Sequence, residues 1–243
     1  MNKLIILLIC VLPYSLSLAQ FNDSIHHYVN YTTAGSLNRT NDGDAYLLNN
    51  SLRFNTKKKS VAFNATSAWI YGQQNKVATN NDFSTYLDFN LYKSLPHFFY
   101  WGLAGYDHSL SLKINKRLQA GLGAAYSVLD KPNTQLNLSN GIIFETSDLF
   151  LNDTLRDVYH TFRNSFRLRF HFVIKDIIVL DGTHFLQNSL SYKNDYIIKS
   201  ATTLSIKLRK WLSLTTAINF NKLNRTNREN LFMNYGLTFE KYF

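Results

Sequence analysis

Residues 162–172 set Phe162, Phe166, Leu168, Phe170 and Phe172 in alternation with Arg163, Ser165, Arg167, Arg169 and His171. A helix would mix the two sets on every face. In an extended strand successive side chains point to opposite sides, so this segment has one apolar face and one polar, largely basic face. The same period of two runs through Phe83, Leu87, Phe89 and Leu91 against Ser84, Tyr86, Asp88 and Asn90. It returns in Ile198, Leu204, Ile206 and Leu208 against Lys199, Thr203, Ser205 and Lys207. Further alternating segments cover 25–38, 45–56, 60–71, 98–106, 113–128, 135–145, 177–191, 211–221 and 231–243, with 177–191 the least regular in phase. The pattern predicts an all-β chain of about 12 strands.

The connections between these segments are 39–44, 57–59, 73–82, 94–97, 107–112, 131–133, 146–161, 174–176, 192–195, 209–210 and 222–230. The odd-numbered ones are mostly long and the even-numbered ones short. Outer-membrane barrels have long extracellular loops and short periplasmic turns, so both termini are expected in the periplasm. Lipid offers no hydrogen-bond partner to an open sheet edge, which leaves helices and closed barrels as spanning structures. The expected fold is therefore a transmembrane, antiparallel, up-and-down β-barrel. A soluble β-sandwich predicts no such alternation of loop length.

Composition changes this picture only at the N-terminus. The chain is 45% hydrophobic and 15% aromatic with 3 Pro, and no Gly/Pro-rich or charged stretch divides it. Lys3, the apolar run Leu4 to Leu12 and the small-x-small triplet Ser17-Leu18-Ala19 ahead of Gln20 read as a cleavable export signal. Residues 1–19 are thus assigned to the signal and 20–243 to the barrel domain. The apolar run is shorter than the roughly 20 residues of a spanning helix, and no later run approaches that length. Cys10 lies inside the signal behind Ile9, where lipoprotein cleavage requires a small residue. The mature chain then has no thiol for a disulfide, a zinc site or a nucleophile.

A net charge of +10 would suit nucleic acid, but export and the lack of a basic-aromatic recognition motif argue against that partner. Strand phase offers another place for the charge. It puts Arg53, Lys113, Arg117, Arg163, Arg167, Arg169, Lys199 and Lys207 inside the barrel, against Asp88, Glu145, Asp181 and Glu240. Two consequences stay open. A basic ladder in a low-dielectric wall favours anions in a pore, whereas Glu145 and Asp181 on the flanking strands can neutralise it and fill the lumen with salt bridges. Gly121, Gly123, Ala125 and Ser127 form a small-residue face that leaves room for a channel or for large side chains from elsewhere. Trp69, Tyr71, Phe99, Trp101 and Trp211 lie near strand ends, as interface girdles do, although aromatics favour any strand.

The last segment, Tyr235-Gly236-Leu237-Thr238-Phe239-Glu240-Lys241-Tyr242-Phe243, resembles the C-terminal signal read by the barrel assembly machinery. Gly236, Leu237, Phe239 and the terminal Phe243 carry the resemblance, and Lys241 departs from it. From Gly35 to Glu145 the order of features resembles the YdiY-like family of salt-induced outer-membrane proteins. The resembling pieces are Asn38-Arg39-Thr40-Asn41-Asp42, Tyr100-Trp101-Gly102-Leu103-Ala104-Gly105-Tyr106 and Gln119-Ala120-Gly121-Leu122-Gly123-Ala124-Ala125-Tyr126. That resemblance implies an outer-membrane barrel and no defined activity. An export signal followed directly by Gln20 resembles secretion in Bacteroidota.

The enzymatic alternative is an outer-membrane phospholipase, which needs a Ser and a His within hydrogen-bond reach at the lipid interface. His184 is the histidine phased toward lipid; no Ser stands two residues away, Asn188 shares its face, and Ser200 on the next strand is the remaining partner. His26 and His27 point to opposite faces, and there is no HExxH or carboxylate cluster, so neither metal nor cofactor is expected. The expected function is non-enzymatic, with outer-membrane lipid and the assembly machinery as partners. It is either a passive channel for small, in one version anionic, solutes or a structural, stress-related barrel with a filled lumen that works through loops or partners.

Overall fold

A computed structural model describes residues 26–40, 43–58, 60–151 and 155–242. The export signal and Phe243 lie outside the described residues. The strands are β1 (His27–Thr40), β2 (Gly43–Lys58), β3 (Val61–Gln74), β4 (Val77–Leu95), β5 (Phe98–Ser109) and β6 (Ile114–Lys131). They continue as β7 (Thr134–Phe150), β8 (Arg156–Ile174), β9 (Ile178–Ser189), β10 (Tyr196–Arg209), β11 (Leu212–Leu223) and β12 (Arg228–Tyr242). Each pairs antiparallel with its chain neighbours, and β1 pairs with β12 from Tyr28↔Tyr242 to Gly35↔Tyr235, which closes the barrel. Closure satisfies the backbone all round and leaves no edge.

The period of two in the sequence becomes two faces of one wall. On β8, Tyr159, Thr161, Arg163, Ser165 and Arg167 are buried, while Val158, His160, Phe162 and Phe166 are exposed. Leu52, Leu87, Phe89, Leu122, Leu204 and Leu214 are exposed in the same outward phase on other strands. An apolar surface on this scale has no place in water and suits the lipid-facing band of a membrane barrel.

Several strands run further than the hydrophobic pattern indicates. Segment 73–82, expected as a long loop, is the end of β3, the start of β4 and a tight turn at Asn75 and Lys76, whose φ values of 50° and 65° match a type I′ hairpin. Segment 146–161 likewise shrinks to 151–155, because β7 continues to Phe150 and β8 begins at Arg156. Strands β4 and β8 reach 19 residues, against the roughly 9–11 that cross a membrane. At these strand ends the outer face carries polar residues such as Thr146, Asp148 and His160 while Leu149 and Tyr159 are buried inside, so the ladder continues without the alternation that reveals it. The end of the barrel carrying the termini, here the turn end, keeps the connections 59–60, 96–97, 132–133, 175–177 and 210–211. The opposite, loop end has the tight turn 75–76, the connections 110–113, 190–195 and 224–227, and the links β1–β2 and β7–β8, where residues 41–42 and 152–154 lie outside the described residues.

Two side-chain placements differ from expectation. Lys113 lies in the connection before β6 with φ 58°, not on a lumen face, because β6 begins at Ile114 beside an irregular pairing at Asp107/Ser109. Phe99 and Trp101 face the lumen, whereas Trp69 and Trp211 are exposed on the outer wall. Phe98-Phe99-Tyr100-Trp101 places aromatics on both faces of β5, so hydrophobicity there cannot set the phase.

Candidate functional site

The candidate site is the lumen, whose contents change in layers along its axis. At the loop end Leu112, Ile114, Leu149, Tyr159, Ile197 and Leu223 form an apolar cluster inside the wall. The 224–227 connection folds over it: Thr226 Oγ1 donates to the Leu112 carbonyl at 3.2 Å, and Asn230 Nδ2 donates to Ser111 Oγ at 2.9 Å. The Arg225 guanidinium lies 3.8 Å and 4.5 Å from the Tyr159 and Tyr192 ring centres and pairs with Asp157 at 2.6 Å.

Beneath this cap is an ionic layer. Arg163 and Glu145 are fully buried; Arg163 Nε and Nη2 donate to the two carboxylate oxygens at 2.9 Å each, and Asp195 adds a contact at 3.0 Å. Tyr159 Oη and Gln119 Nε2 donate to the same carboxylate at 2.8 and 2.7 Å. Asp107 accepts from Arg117 at 2.7 Å and from Lys199 at 3.0 Å, and Lys199 also contacts the Tyr86 hydroxyl. Lys199 stands on β10 and Asp107 on β5, so this bond crosses the lumen. Gln119 of β6 reaches Gln187 of β9 at 3.0 Å. Such a layer shields its charges only while every partner is present.

The small-residue face of β6 is filled. A Cβ at Gly123 or Gly141 would come within 2.6 or 2.5 Å of the Trp101 ring, so these glycines seat the indole. Arg167 stacks 5.1 Å from that ring and reaches across to Asp88 on β4 at 2.5 Å.

Elsewhere the lumen is different. Along β10, β11, β12 and β1 the inward hydroxyls of Ser205, Thr215, Thr238 and Thr32 form a row with neighbour distances of 2.9, 2.8 and 2.9 Å. Side-chain hydrogen bonds of β1, β2 and β3 among the described residues stay local, as in Tyr28 to Glu240 and Thr32 to Thr238 on the adjacent strand. Inward Thr32, Asn49, Ser51, Thr66 and Ala68 remain partly exposed. At the turn end His171 and Asp181 pair at 2.7 Å with about a third of each side chain exposed (34% and 36%).

The expected ladder is thus divided. Glu145 takes Arg163, as the filled-lumen alternative requires, but Asp181 takes His171 rather than an arginine of the ladder. Arg117 and Lys199 converge on Asp107, while Arg169 and Lys207 have no ion pair among the described residues. Sequence reading missed Asp107 and Asp195 because both fell in expected connections. Extending the phase Leu103, Gly105 by one step finds Asp107; no comparable signal marks Asp195.

On the outer wall Leu237 and Phe239 face outward, and Gly236 closes the seam, where a Cβ would lie 2.0 Å from the Thr33 carbonyl. His184 Nδ1 and Ser200 Oγ are 2.7 Å apart on the same outer face. Other outward polar groups also satisfy one another across strands, as in Tyr31 with Asn50 at 2.9 Å and Ser67 with Thr85 at 3.0 Å.

A closed wall with an apolar outside and a polar, ion-paired inside defines the fold of an outer-membrane β-barrel. The structure is similar to the translocator domain of the autotransporter NalP from Neisseria meningitidis, with 10% identity, 91% of this chain and 90% of that one covered, and a TM-score of 0.52. It is also similar to the NanC porin (9% identity, 86% and 98% covered, TM-score 0.51). An outer-membrane channel from Pseudomonas putida F1 gives 9% identity, 95% and 100% covered, and a TM-score of 0.51. These likenesses are of fold. No curated protein matches the chain. Residues 30–231 match the family described as Protein of unknown function, DUF481, and the chain belongs to that family.

Proposed function

We propose that this DUF481 protein is a restricted outer-membrane channel that passes small polar solutes along one side of its lumen. The observation that carries this reading is the bond from Lys199 to Asp107 and Tyr86, which closes off the β5–β9 side, while inward Thr32, Asn49, Ser51 and Thr66 of β1, β2 and β3 stay partly exposed and Ser213, Thr215, Asn234 and Thr238 of β11 and β12 are buried. Barrels of about 8 strands are filled by their own side chains and those of 16–18 hold an aqueous channel. Twelve strands lie between, so side-chain chemistry sets the bore. The turn end faces the periplasm in this reading, following the rule of short periplasmic turns. The reading of residues 1–19 as an export signal and the resemblance to the YdiY-like salt-induced proteins are consistent with it.

The barrel works without catalysis. Between β9 and β10 backbone N–H groups belong to the strand ladder, so the His184–Ser200 pair has no preorganised donor for an oxyanion. Mutual satisfaction of two polar groups facing lipid accounts for the pair. The second reading, a filled barrel acting through its loops, is favoured by the apolar cap at the loop end.

Refolded protein in a planar bilayer should show a small, steady conductance. The double variant Arg167→Gln/Asp88→Asn, which removes one cross-lumen pair, should raise it severalfold. A bilayer that stays silent with both proteins supports the filled barrel instead.

A further inference from the structure

The cations of the lumen fall into two groups. Those toward the loop end are matched: Arg163 by Glu145 and Asp195, Arg117 and Lys199 by Asp107, and Arg167 by Asp88. Toward the turn end Arg53, Arg169 and Lys207 occupy inward positions on β2, β8 and β10, are at least partly exposed, and form no ion pair among the described residues. Two carboxylates share this space, Asp181 hydrogen-bonded to His171 at 2.7 Å and Glu240 accepting from the Tyr28 hydroxyl at 3.2 Å, so the cations exceed the acids by one. In the sheet register Arg53 and Glu240 both stand opposite Asn30, Lys207 and Thr238 both stand opposite Ser213, and Arg169 stands opposite Thr183, one inward step from Asp181, so the three cations face the same turn-end stretch of the lumen, a vestibule at that mouth.

The rim around that vestibule is basic as well. Exposed Lys58, Lys131, Lys175 and Lys210 flank or occupy four of the turn-end connections, and Lys241 lies near the end of β12, against Asp130 and Asp176. A basic rim over a basic, partly enclosed vestibule focuses the field into the cavity and raises the local concentration of anions.

We infer that the turn-end vestibule is a binding site for small polyvalent anions of phosphate type, with Arg53, Arg169 and Lys207 as the binding groups. This names the solute class of the proposed channel and rests on that reading for its physiological use, though not for binding itself. The same chemistry could come from free anions or from lipid headgroups. Headgroups reach the outer rim but not the inward trio, so the site selects the soluble anion.

The test is calorimetric titration of refolded protein, in a neutral detergent, with inorganic pyrophosphate. Saturable binding is expected, lost in 1 M salt, where the Debye length is about 3 Å. The triple variant Arg53→Gln/Arg169→Gln/Lys207→Gln should weaken it by about tenfold or more while still migrating as a folded, heat-modifiable barrel. The rim variant Lys58→Gln/Lys131→Gln/Lys175→Gln should stay near wild type. Unchanged affinity in the vestibule variant, or loss in the rim variant alone, overturns the site. Binding by a protein that never conducts removes the channel reading and leaves the site; conductance without binding does the reverse.

Discussion

Replacing Glu145 by Ala should destabilise the barrel by about 3–5 kcal/mol, the range for removing one partner of a buried ion pair. Arg163 would keep Asp195, at 3.0 Å from the 190–195 connection, but lose both 2.9 Å bonds to the rigid wall of β7. Gln119 and the Tyr159 hydroxyl would lose an acceptor in the same event. Glu145→Gln, which keeps the shape and one acceptor, should cost less. Unfolding in denaturant, followed by heat-modifiable migration, measures both. A Glu145→Ala barrel as stable as wild type would mean that the ionic layer is not sealed from water.

A second large effect belongs to the outer wall. Leu237 and Phe239 are outward on β12, the strand that closes the barrel on β1. Arg at the membrane midplane costs about 2–4 kcal/mol, falling toward zero near the interfaces. Leu237→Arg/Phe239→Arg should therefore sharply reduce the fraction that inserts into lipid vesicles. Inward Thr238→Ser, between them, should insert like wild type. Equal insertion of the two variants would contradict the assignment of this face to lipid.

The sequence made the wall legible because lipid and lumen impose opposite polarity on successive residues, as in Phe162 to Phe172. Twelve strands and their turn-end connections followed from that signal, and their order from the closure that lipid requires. Where the physical contrast fades, so does the signal. Strand ends such as Thr146 to Phe150 set polar Thr146 and Asp148 outward against buried Ser147 and Leu149, the reverse of the lipid-facing pattern, and Phe98 to Trp101 is aromatic on both faces. The lumen was legible as a list of inward charges but not as a set of pairs. Neighbouring strands suggested Glu145 for Arg163, whereas Asp88 for Arg167 and Asp107 for Lys199 are chords across the barrel, set by side-chain reach. Asp195 enters from a connection, where no periodicity points inward.

The proposed division of the lumen into a solid side and a wet side is best tested by single cysteines within residues 20–243, which contain none. Ser165 on β8 is 1% exposed behind the Arg163 and Arg167 layers, while Ser51 on β2 and Thr66 on β3 are partly exposed on the inward face. A small, charged, membrane-impermeant thiol reagent added to the folded barrel in lipid should modify Ser51→Cys and Thr66→Cys rapidly and leave Ser165→Cys protected until denaturation. Equal modification of all three would contradict the solid half, and protection of all three would contradict the open one.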